Sequence, residues 1–171
     1  MAAGPGRGRE LGVTPALRRL AAADAPRLRL LWADEWSGDT MIVHGEVFRP
    51  EQLAGFVADD WAGVVTYIVR DNACEIVSLN SLQPNEGVGT ALLEAVVEEA
   101  RRQACRRVSI STTNDNLRAL GFYQRRGFAI AAVRPGAMEE TRRRKPAIPL
   151  VGENGIPLRD EIELEMALPA G

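Results

Sequence analysis

Residues 79–93 read Leu79-Asn-Ser-Leu-Gln-Pro-Asn-Glu-Gly-Val-Gly-Thr-Ala-Leu-Leu93. An apolar run ends in a turn, and Gly87 and Gly89 open the helical pattern that follows. The first amides of a helix have no helical partner, and the helix dipole places partial positive charge on them. Because glycine lets the backbone approach a phosphate closely, the stretch predicts an anion-binding site at the start of this helix.

The glycine turn has two other interpretations when it is taken alone. A strand-to-helix turn can require glycine for its geometry, without any ligand. A dinucleotide-binding turn of the form G-x-G-x-x-G/A needs a small sixth residue, whereas this chain has Leu92 there. The preceding strands also favour an antiparallel meander over a βαβ unit, because residues 63–70 and 74–82 are β-rich and Asp71-Asn72 forms a turn between them.

The clearest helix is predicted from 89 to 104, where Leu93, Val96, Val97, Ala100 and Ala104 follow helical spacing. Helices are also expected from Asp24 and Asn116, and a charged helical piece from 138 to 145. Short strand patterns occupy residues 15–20, 56–58, 107–112 and 128–133, and the stretch 37–53 is predicted to be irregular. The last strand, 161–168, alternates strictly, so its three glutamates form an acidic stripe that either attracts a cationic amine or is a solvated face.

A second pattern lies on the next strand and helix, and it carries a resemblance. It reads Asn116-Leu-Arg-Ala119-Leu-Gly-Phe-Tyr123-Gln-Arg-Arg-Gly127-Phe128, which has the form N-x-x-A-x-x-x-Y-x-x-x-G-F. With the strand–GxG–helix upstream, in this order and at this separation, the chain resembles the GNAT N-acetyltransferases. The resemblance covers about residues 15–133 and the last strand.

The resemblance implies an α/β (α+β) fold. Its centre is a mixed, mostly antiparallel sheet of about six to seven strands flanked by helices, with a splayed strand pair that holds the cofactor. We expect one such domain over residues 14–171, after a disordered extension at 1–13 and with a long loop or insertion at 134–160.

The resemblance also implies where acetyl-CoA binds. Its pyrophosphate would rest on the amides of Glu86, Gly87, Val88, Gly89 and Thr90. Its pantetheine arm would pair with the backbone of Leu79, Ser81 and Leu82. Asn116 would be both the helix cap and a cofactor ligand.

Two departures from the family pattern affect this cofactor site. The family usually has Arg or Gln three residues before the first glycine, where this chain has Pro84 next to Gln83. Proline has no amide hydrogen to donate to a phosphate. Glu86 also places a carboxylate where the family often has a cation, and we expect it to point to solvent.

Tyr123 would be the general acid that protonates the departing thiolate of coenzyme A. The alternative is core packing, because Tyr123 shares a helical face with Ala119 and Leu120. As general base we predict Glu75, since a branch of the histone acetyltransferases carries the same E-I-V with the glutamate as base. The alternative for Glu75 is a solvated strand end.

Strand alternation is expected to place Glu75, Val77, Leu79 and Ser81 on one face. His44 lies in the loop that would border the acceptor site, and its ordinary pKa suits base work. The sequence therefore leaves Glu75, His44 or water as the general base.

The bulk composition excludes several classes of protein. The net charge is −2, which argues against a nucleic-acid partner that binds through bulk charge. Two cysteines outside any CxxC and a single histidine predict no metal site and a reducing compartment. No apolar run approaches the length of a membrane span, and the start of the chain lacks a secretory pattern. A cytoplasmic protein without a membrane partner is expected.

The function that the resemblance implies is transfer of an acetyl group from acetyl-CoA to a primary amine, by direct attack in a ternary complex. The alternative is a non-catalytic CoA-binding sensor or interaction module, which Pro84 and Glu86 keep open. The acceptor is a small-molecule or peptide amine of open identity, bordered by loops 37–53 and 134–160. Edge strands and the long loop leave a homodimer as an option.

Overall fold

A mixed sheet forms the centre of the computed structural model, which describes residues 14–82 and 87–169. The predicted extension at 1–13 and the cofactor residue Glu86 lie outside the described residues. The strands are β1 Leu17–Arg19, β2 Met41–Val43, β3 Glu46–Phe48, β4 Ala54–Ala58, β5 Gly63–Arg70, β6 Ala73–Ser81, β7 Arg107–Thr113, β8 Ala129–Arg134 and β9 Glu161–Ala167.

Seven of these strands form the central sheet in the order β1-β4-β5-β6-β7-β9-β8, and β2 pairs with β3 apart from it. The helices are α1 Ala25–Trp36, α2 Val88–Arg102, α3 Leu117–Gln124 and α4 Ala137–Arg144. None of the helices in this described part of the chain has the length and apolar character that crossing a membrane requires. The predicted fold class, a mostly antiparallel sheet of six to seven strands flanked by helices, is confirmed.

The two strands β6 and β7 run parallel and then part. They pair from Ala73 opposite Arg107 to Ile76 opposite Ile110. Beyond that point, β6 continues to Ser81 and β7 to Thr113, while β7 keeps its pairing with β9. The predicted splayed pair is therefore present, and it opens a gap in the middle of the sheet.

The helix α2 covers one face of the sheet, as its apolar spacing predicts. Leu92 and Val96 are fully buried there, each contributing about 1.5–3 kcal/mol by leaving water. The helix approaches β5 closely at Gly63, where a Cβ would lie 2.6 Å from Val88 and 2.7 Å from a β6 carbonyl. The helix ends at Arg102, earlier than predicted.

Helix α1 and the β2–β3 hairpin cover the opposite face. Trp32 of α1 packs near Val64 of β5, and Phe48 of β3 packs near Val77 of β6. The prediction of irregular structure from 37 to 53 is therefore wrong for the hairpin strands. His44 and Gly45 form its turn with φ of 51° and 76°, the left-handed angles that a two-residue hairpin loop requires.

A β-bulge interrupts the alternation of β6. Thr66 pairs with Ser78, but the next residue of β5, Tyr67, pairs with Ile76. Val77 is therefore an extra residue in β6. A side chain after the bulge points to the face opposite to the one that simple alternation predicts.

This bulge overturns the expectation that four β6 side chains share a face. Glu75 and Val77 face the hairpin. Leu79 packs with the cluster beneath α2, and the Cβ of Ser81 lies 3.5 Å from where a Cβ of Gly89 would be. The base candidate Glu75 and the positions predicted to pair with pantetheine thus lie on opposite faces.

The insertion, residues 134–160, is an ordered wall rather than a simple loop. It contains α4, whose bounds are close to those of the predicted helical piece. Two basic side chains at the end of α4 hydrogen-bond to the β2–β3 hairpin turn and to the segment from the end of α1 to β2. Nη1 of Arg144 donates to the carbonyl of Gly45 at 2.7 Å. The ammonium of Lys145 donates to the carbonyl of Trp36 at 3.3 Å and also to that of Thr40.

Strand β8 forms one edge of the sheet and exposes apolar side chains. Ile130 and Val133 are each 51% exposed. An apolar edge is a surface on which a second chain can pair, and the homodimer stays a prediction.

Candidate active site

A cleft of about 1210 Å³ passes through the gap between the splayed strands. Strand ends, the starts of α2 and α3, the end of α1, β2 and the insertion form its walls. The lining residues are 35–37, 41–43, 77–82, 87, 89–90, 110–113, 115–116, 118–119, 122–123, 125–126, 138, 141, 145, 148–149, 151–153, 158 and 161. The cleft thus joins both faces of the sheet.

The start of α2 lies in this cleft with its amides unpaired by the helix. The first α2 hydrogen bond after the turn joins the N–H of Ala91 to the carbonyl of Gly87, so the amides of Val88, Gly89 and Thr90 precede the helical ladder. Gly87 has φ of 75°, which a side-chain-bearing residue rarely adopts. The helix start therefore has the free amides and the glycine turn that the sequence predicts, and anion binding there stays a prediction.

A cation that the sequence analysis did not single out lies beside this helix start. Arg126 donates from Nη2 to the hydroxyl of Thr90 at 2.6 Å, and its guanidinium stacks 3.6 Å from the centroid of the Phe122 ring. Burial, and next the charge of Arg125, lowers the pKa of Arg126. A neighbouring anion would offset the repulsion between the guanidinium groups of Arg125 and Arg126. Only its place in the second motif, two residues before Phe128, could have signalled this residue.

The other predicted cofactor residues lie along the same cleft. Leu79, Ser81 and Leu82 line it where β6 has left β7. Asn116 lines it as well, and its side chain caps α3 by accepting a hydrogen bond from the Ala119 amide at 2.9 Å. The capping role of Asn116 is confirmed, and its role as a cofactor ligand stays a prediction.

Tyr123 belongs both to the core and to the cleft. It is 5% exposed and lies edge-on to Phe122 and Phe128, with ring centroids 5.2 and 5.8 Å away. It also lines the cleft. Burial raises the pKa of Tyr123, so the phenol keeps its proton at neutral pH. Both sequence interpretations of this residue therefore fit its position.

The hairpin turn places His44 in a cluster of charged side chains beside the gap, on the hairpin face. Its Nδ1 is 2.6 Å from Oε1 of Glu161, and its Nε2 is 3.3 Å from the hydroxyl of Ser111. The same Nε2 is 3.4 Å from Oε1 of Glu75 and 3.7 Å from Oε2 of Glu163. Ser111 and Glu161 line the cleft, whereas His44 and Glu75 are not among its lining residues.

The charges of this cluster affect one another. The hydrogen bond that His44 donates to Glu161 raises the pKa of His44 above its ordinary value, against the effect of burial. Burial disfavours the charged form of Glu161, but its contact with His44 outweighs this and lowers its pKa. Burial raises the pKa of Glu75, whose Oε1 accepts no hydrogen bond from residues 14–82 and 87–169.

The acidic stripe of β9 therefore has two different ends. Glu161 and Glu163 lie under the hairpin, and Arg134 of β8 contacts both, at 3.3 and 2.7 Å. Glu165 is the more exposed end and pairs with Arg107 at 3.4 Å. The interpretation of the whole stripe as a solvated face is wrong for Glu161, which is 9% exposed.

No metal site emerges around this cluster. Within 14–82 and 87–169, no group of three or more His, Cys, Asp or Glu side chains is arranged to hold a metal ion. The chemistry that these residues support is proton transfer beside a cleft.

Comparison with known proteins agrees with this geometry. Residues 15–128 match the Acetyltransferase (GNAT) family profile. The uncharacterised protein YdhI of Bacillus subtilis (strain 168) is 46% identical over 135 residues, covering 77% of this chain and 84% of that protein.

Solved structures share the fold. An IAA acetyltransferase from Bacillus cereus ATCC 14579 superposes with a TM-score of 0.69 at 22% identity, covering 90% of this chain and 99% of that one. A GNAT family acetyltransferase from Elizabethkingia anophelis with acetyl-CoA bound gives a TM-score of 0.69 at 21% identity, covering 91% and 99%. With two thirds of its length matched by the family profile, the chain belongs to the GNAT family of acetyltransferases.

Proposed function

We propose that the protein transfers the acetyl group of acetyl-CoA to a primary amine, by direct attack within a ternary complex. The observation that carries the proposal is the cleft itself. It joins an anion-binding helix start to two parted strands and continues to the hairpin face. A cofactor entering from one side and an acceptor from the other would meet at the gap.

The cofactor half of the proposal rests on the α2 end of the cleft. The pyrophosphate lies on the amides that follow Gly87, with Arg126 as the neighbouring cation. The pantetheine arm follows the edge of β6 that has parted from β7, from Leu82 toward Val77. A backbone amide near Ser81 polarises the thioester carbonyl in this proposal.

The proton transfers use two groups of residues. Tyr123, which burial keeps protonated, supplies the proton for the departing thiolate. The amine loses its proton to the cluster that contains Glu75 and His44. Acyl transfer without an enzyme-bound intermediate fits the two cysteines, since Cys74 and Cys105 are both buried.

The charge of the acceptor end supports a class of substrate. Glu35, Glu153 and Glu161 line the cleft near the insertion, the hairpin and the end of α1. Among the described residues that line those walls, Lys145 is the one with a positively charged side chain. Its ammonium already donates to two carbonyls. Apolar side chains such as Met41 complete these walls. The proposed acceptor is a cationic amine with an apolar body and without an acid group.

A binding assay tests the cofactor half first. Acetyl-CoA at about a hundred times its Kd should raise Tm by roughly 5–10 °C for a chain of this size. The Gly89→Glu variant is the matched control and should not respond. Absence of any response in the wild-type protein would exclude both the enzyme and the CoA-binding sensor.

Thiol release from acetyl-CoA then tests the transfer, with tyramine and tyrosine as a matched pair of acceptors. These differ by a carboxylate, which the glutamates of the cleft walls would repel. We therefore expect kcat/KM to be at least on the order of tenfold higher for tyramine. Spermidine and a peptide with an N-terminal alanine extend the panel. Binding without turnover of any of these four amines would favour the sensor, and equal rates for the pair would refute the proposed acceptor class.

A further inference from the structure

Three side chains form a continuous row beside the gap, in which Ser111 and Glu161 line the cleft and the ring of His44 lies between them. The hydroxyl of Ser111 is 3.3 Å from Nε2 of His44, and Nδ1 of the same ring is 2.6 Å from Glu161. We propose that the acceptor amine gives up its proton through the hydroxyl of Ser111 to Nε2 of His44, with Glu161 as the residue that positions the ring. This inference rests on the proposed function and names the groups that move the proton.

Ser111 has the position that such a step requires. The last paired residues of β6 and β7 are Ile76 and Ile110, so Ser111 is the first β7 residue past the point where the strands part. Its side chain lines the cleft, and the ring of His44 lies behind it. An amine at the gap can therefore contact the hydroxyl directly, whereas the imidazole is not among the groups that line the cleft.

Glu161 fixes which ring nitrogen accepts the proton. A carboxylate oxygen at 2.6 Å from Nδ1 requires the hydrogen of the neutral ring to be on Nδ1. The lone pair of the neutral ring is then on Nε2, which is the nitrogen next to Ser111. The hydroxyl of Ser111 can donate to that lone pair and accept from the amine at the same time. The backbone amide of His44 also donates to Glu161, at 3.3 Å, which holds the hairpin turn to β9.

Glu75 is less suited to receive the proton directly. Its carboxylate lies on the far side of the ring from Nδ1, 3.4 Å from Nε2, and does not line the cleft. A bulge at Val77 separates it from the residues that follow the cofactor. Its role here is electrostatic, because its negative charge favours the protonated ring.

The surroundings of His44 combine several charges. Glu75 of β6 and Glu161 and Glu163 of β9 favour the imidazolium, while Arg134 of β8 opposes it and pairs with both β9 carboxylates. Further groups near the turn are already paired, Glu46 with Arg70 and Arg144 with a carbonyl. The hydrogen bond to Glu161 is the largest of these effects, and together they raise the pKa of His44 above its ordinary value.

The amine nitrogen loses two protons in the proposed reaction, one before and one after the C–N bond forms. The acceptor enters as an ammonium ion and passes one proton to the Ser111 oxygen while the hydroxyl proton moves to Nε2. The neutral amine then attacks the thioester carbon, so that a C–N bond forms and the C–S bond breaks. The thiolate takes the proton of Tyr123, the second amine proton restores the phenol, and His44 releases its proton to solvent.

The pH dependence of turnover tests this route, and the chain has a single histidine, so one NMR imidazole signal reports its titration. The acid limb of kcat/KM for tyramine should coincide with the titration of that signal. In Glu161→Gln, the acid limb and the imidazole titration should move to lower pH together, because the variant lacks a carboxylate that stabilises the imidazolium. Glu165→Gln on the same strand is the control and should leave both in place.

Two further variants test the individual groups. His44→Gln should lose the acid limb, with kcat reduced by roughly a hundredfold, the lower end of what a general base contributes. Ser111→Ala should lower kcat by about tenfold or more, while Ser109→Ala, on the same strand face, should not.

The outcomes separate this inference from the proposed function. A wild-type protein that acetylates none of the four panel amines would overturn both. Turnover with the acid limb intact in His44→Gln, or a limb that stays in place while the imidazole titration moves in Glu161→Gln, would overturn the inference alone. Unchanged acetyl-CoA binding in each variant shows that the fold is retained. Loss of the acid limb in Glu75→Gln, with the limb intact in His44→Gln, would assign the proton to the glutamate instead.

Discussion

Replacement of Glu99 by glutamine should destabilise the protein at neutral pH and have almost no effect in acid. Glu99 lies on α2 and is 6% exposed. Its carboxylate accepts hydrogen bonds from Arg102, from Gln103 at 2.7 Å and from Arg19 at 2.9 Å. Arg102, the strongest of these influences, outweighs burial and with the others lowers the pKa of Glu99 from 4.5 to about 2.

The size of the effect follows from that pKa. A lowering of the pKa from 4.5 to about 2 corresponds to roughly 3.5 kcal/mol, at about 1.4 kcal/mol for each pKa unit. The side chains of Arg19 and Arg102 are 59% and 60% exposed, so solvent screens part of this attraction. We therefore expect a loss of about 2 kcal/mol in the free energy of unfolding, or roughly 4–8 °C in Tm.

The sign of the pH dependence is fixed by the lowered pKa. A carboxyl group with a lower pKa in the folded state stabilises that state above the pKa of the unfolded chain, which is near 4.5. The contribution disappears as the pH falls toward about 2. The wild-type protein and Glu99→Gln should therefore converge in stability over that interval.

Urea denaturation from about pH 7 to about pH 2 measures this difference. The matched control is Glu98→Gln, because Glu98 is the neighbouring residue and its side chain is 70% exposed, with Arg101 at 3.5 Å. An exposed pair of this kind contributes less than about 1 kcal/mol. Equal stability of Glu99→Gln and Glu98→Gln at neutral pH, or a stability difference between Glu99→Gln and the wild-type protein that persists in acid, would refute the role of the Glu99 charge.

Three predictions concern the cleft. Gly89→Glu should abolish the thermal shift with acetyl-CoA, because its Cβ would lie 3.5 Å from Phe122 and its charge would face the phosphates; retained affinity would mean that the anion site is elsewhere. Arg126→Ala should weaken acetyl-CoA binding by about tenfold through loss of a charged hydrogen-bond donor, measured by calorimetry against the exposed control Arg101→Ala, and equal affinities would contradict a role for this cation. Tyr123→Phe should lower turnover by roughly a hundredfold or more without changing acetyl-CoA binding, and unchanged turnover would restrict this tyrosine to core packing.

Local patterns predicted the part of the fold around the glycine turn. Helix α2 and strand β5 follow from hydrophobic periodicity and β-rich composition, and both occur within two residues of the predicted bounds. The hairpin at 41–48 was missed because each of its strands has three residues, too few for a period to emerge. The left-handed pair His44-Gly45 was the one available signal for that turn.

The composition of the candidate site was harder to predict for a different reason. His44 and Glu161 are 117 residues apart in sequence, and Arg126 and Thr90 are 36 apart. Neither contact leaves a local pattern. The bulge at Val77 is also invisible to an alternation argument, because one extra residue reverses the face of every later side chain.

The ties between the insertion and the opposite wall have an evolutionary consequence. Arg144 and Lys145 hold the hairpin turn and the end of α1 by main-chain carbonyls, at Gly45, Trp36 and Thr40. A carbonyl is present whatever residue occupies the position. Substitutions among the cleft-lining side chains of those segments therefore leave the ties intact, so the proposed acceptor site can change by point mutation without a compensating change in the insertion.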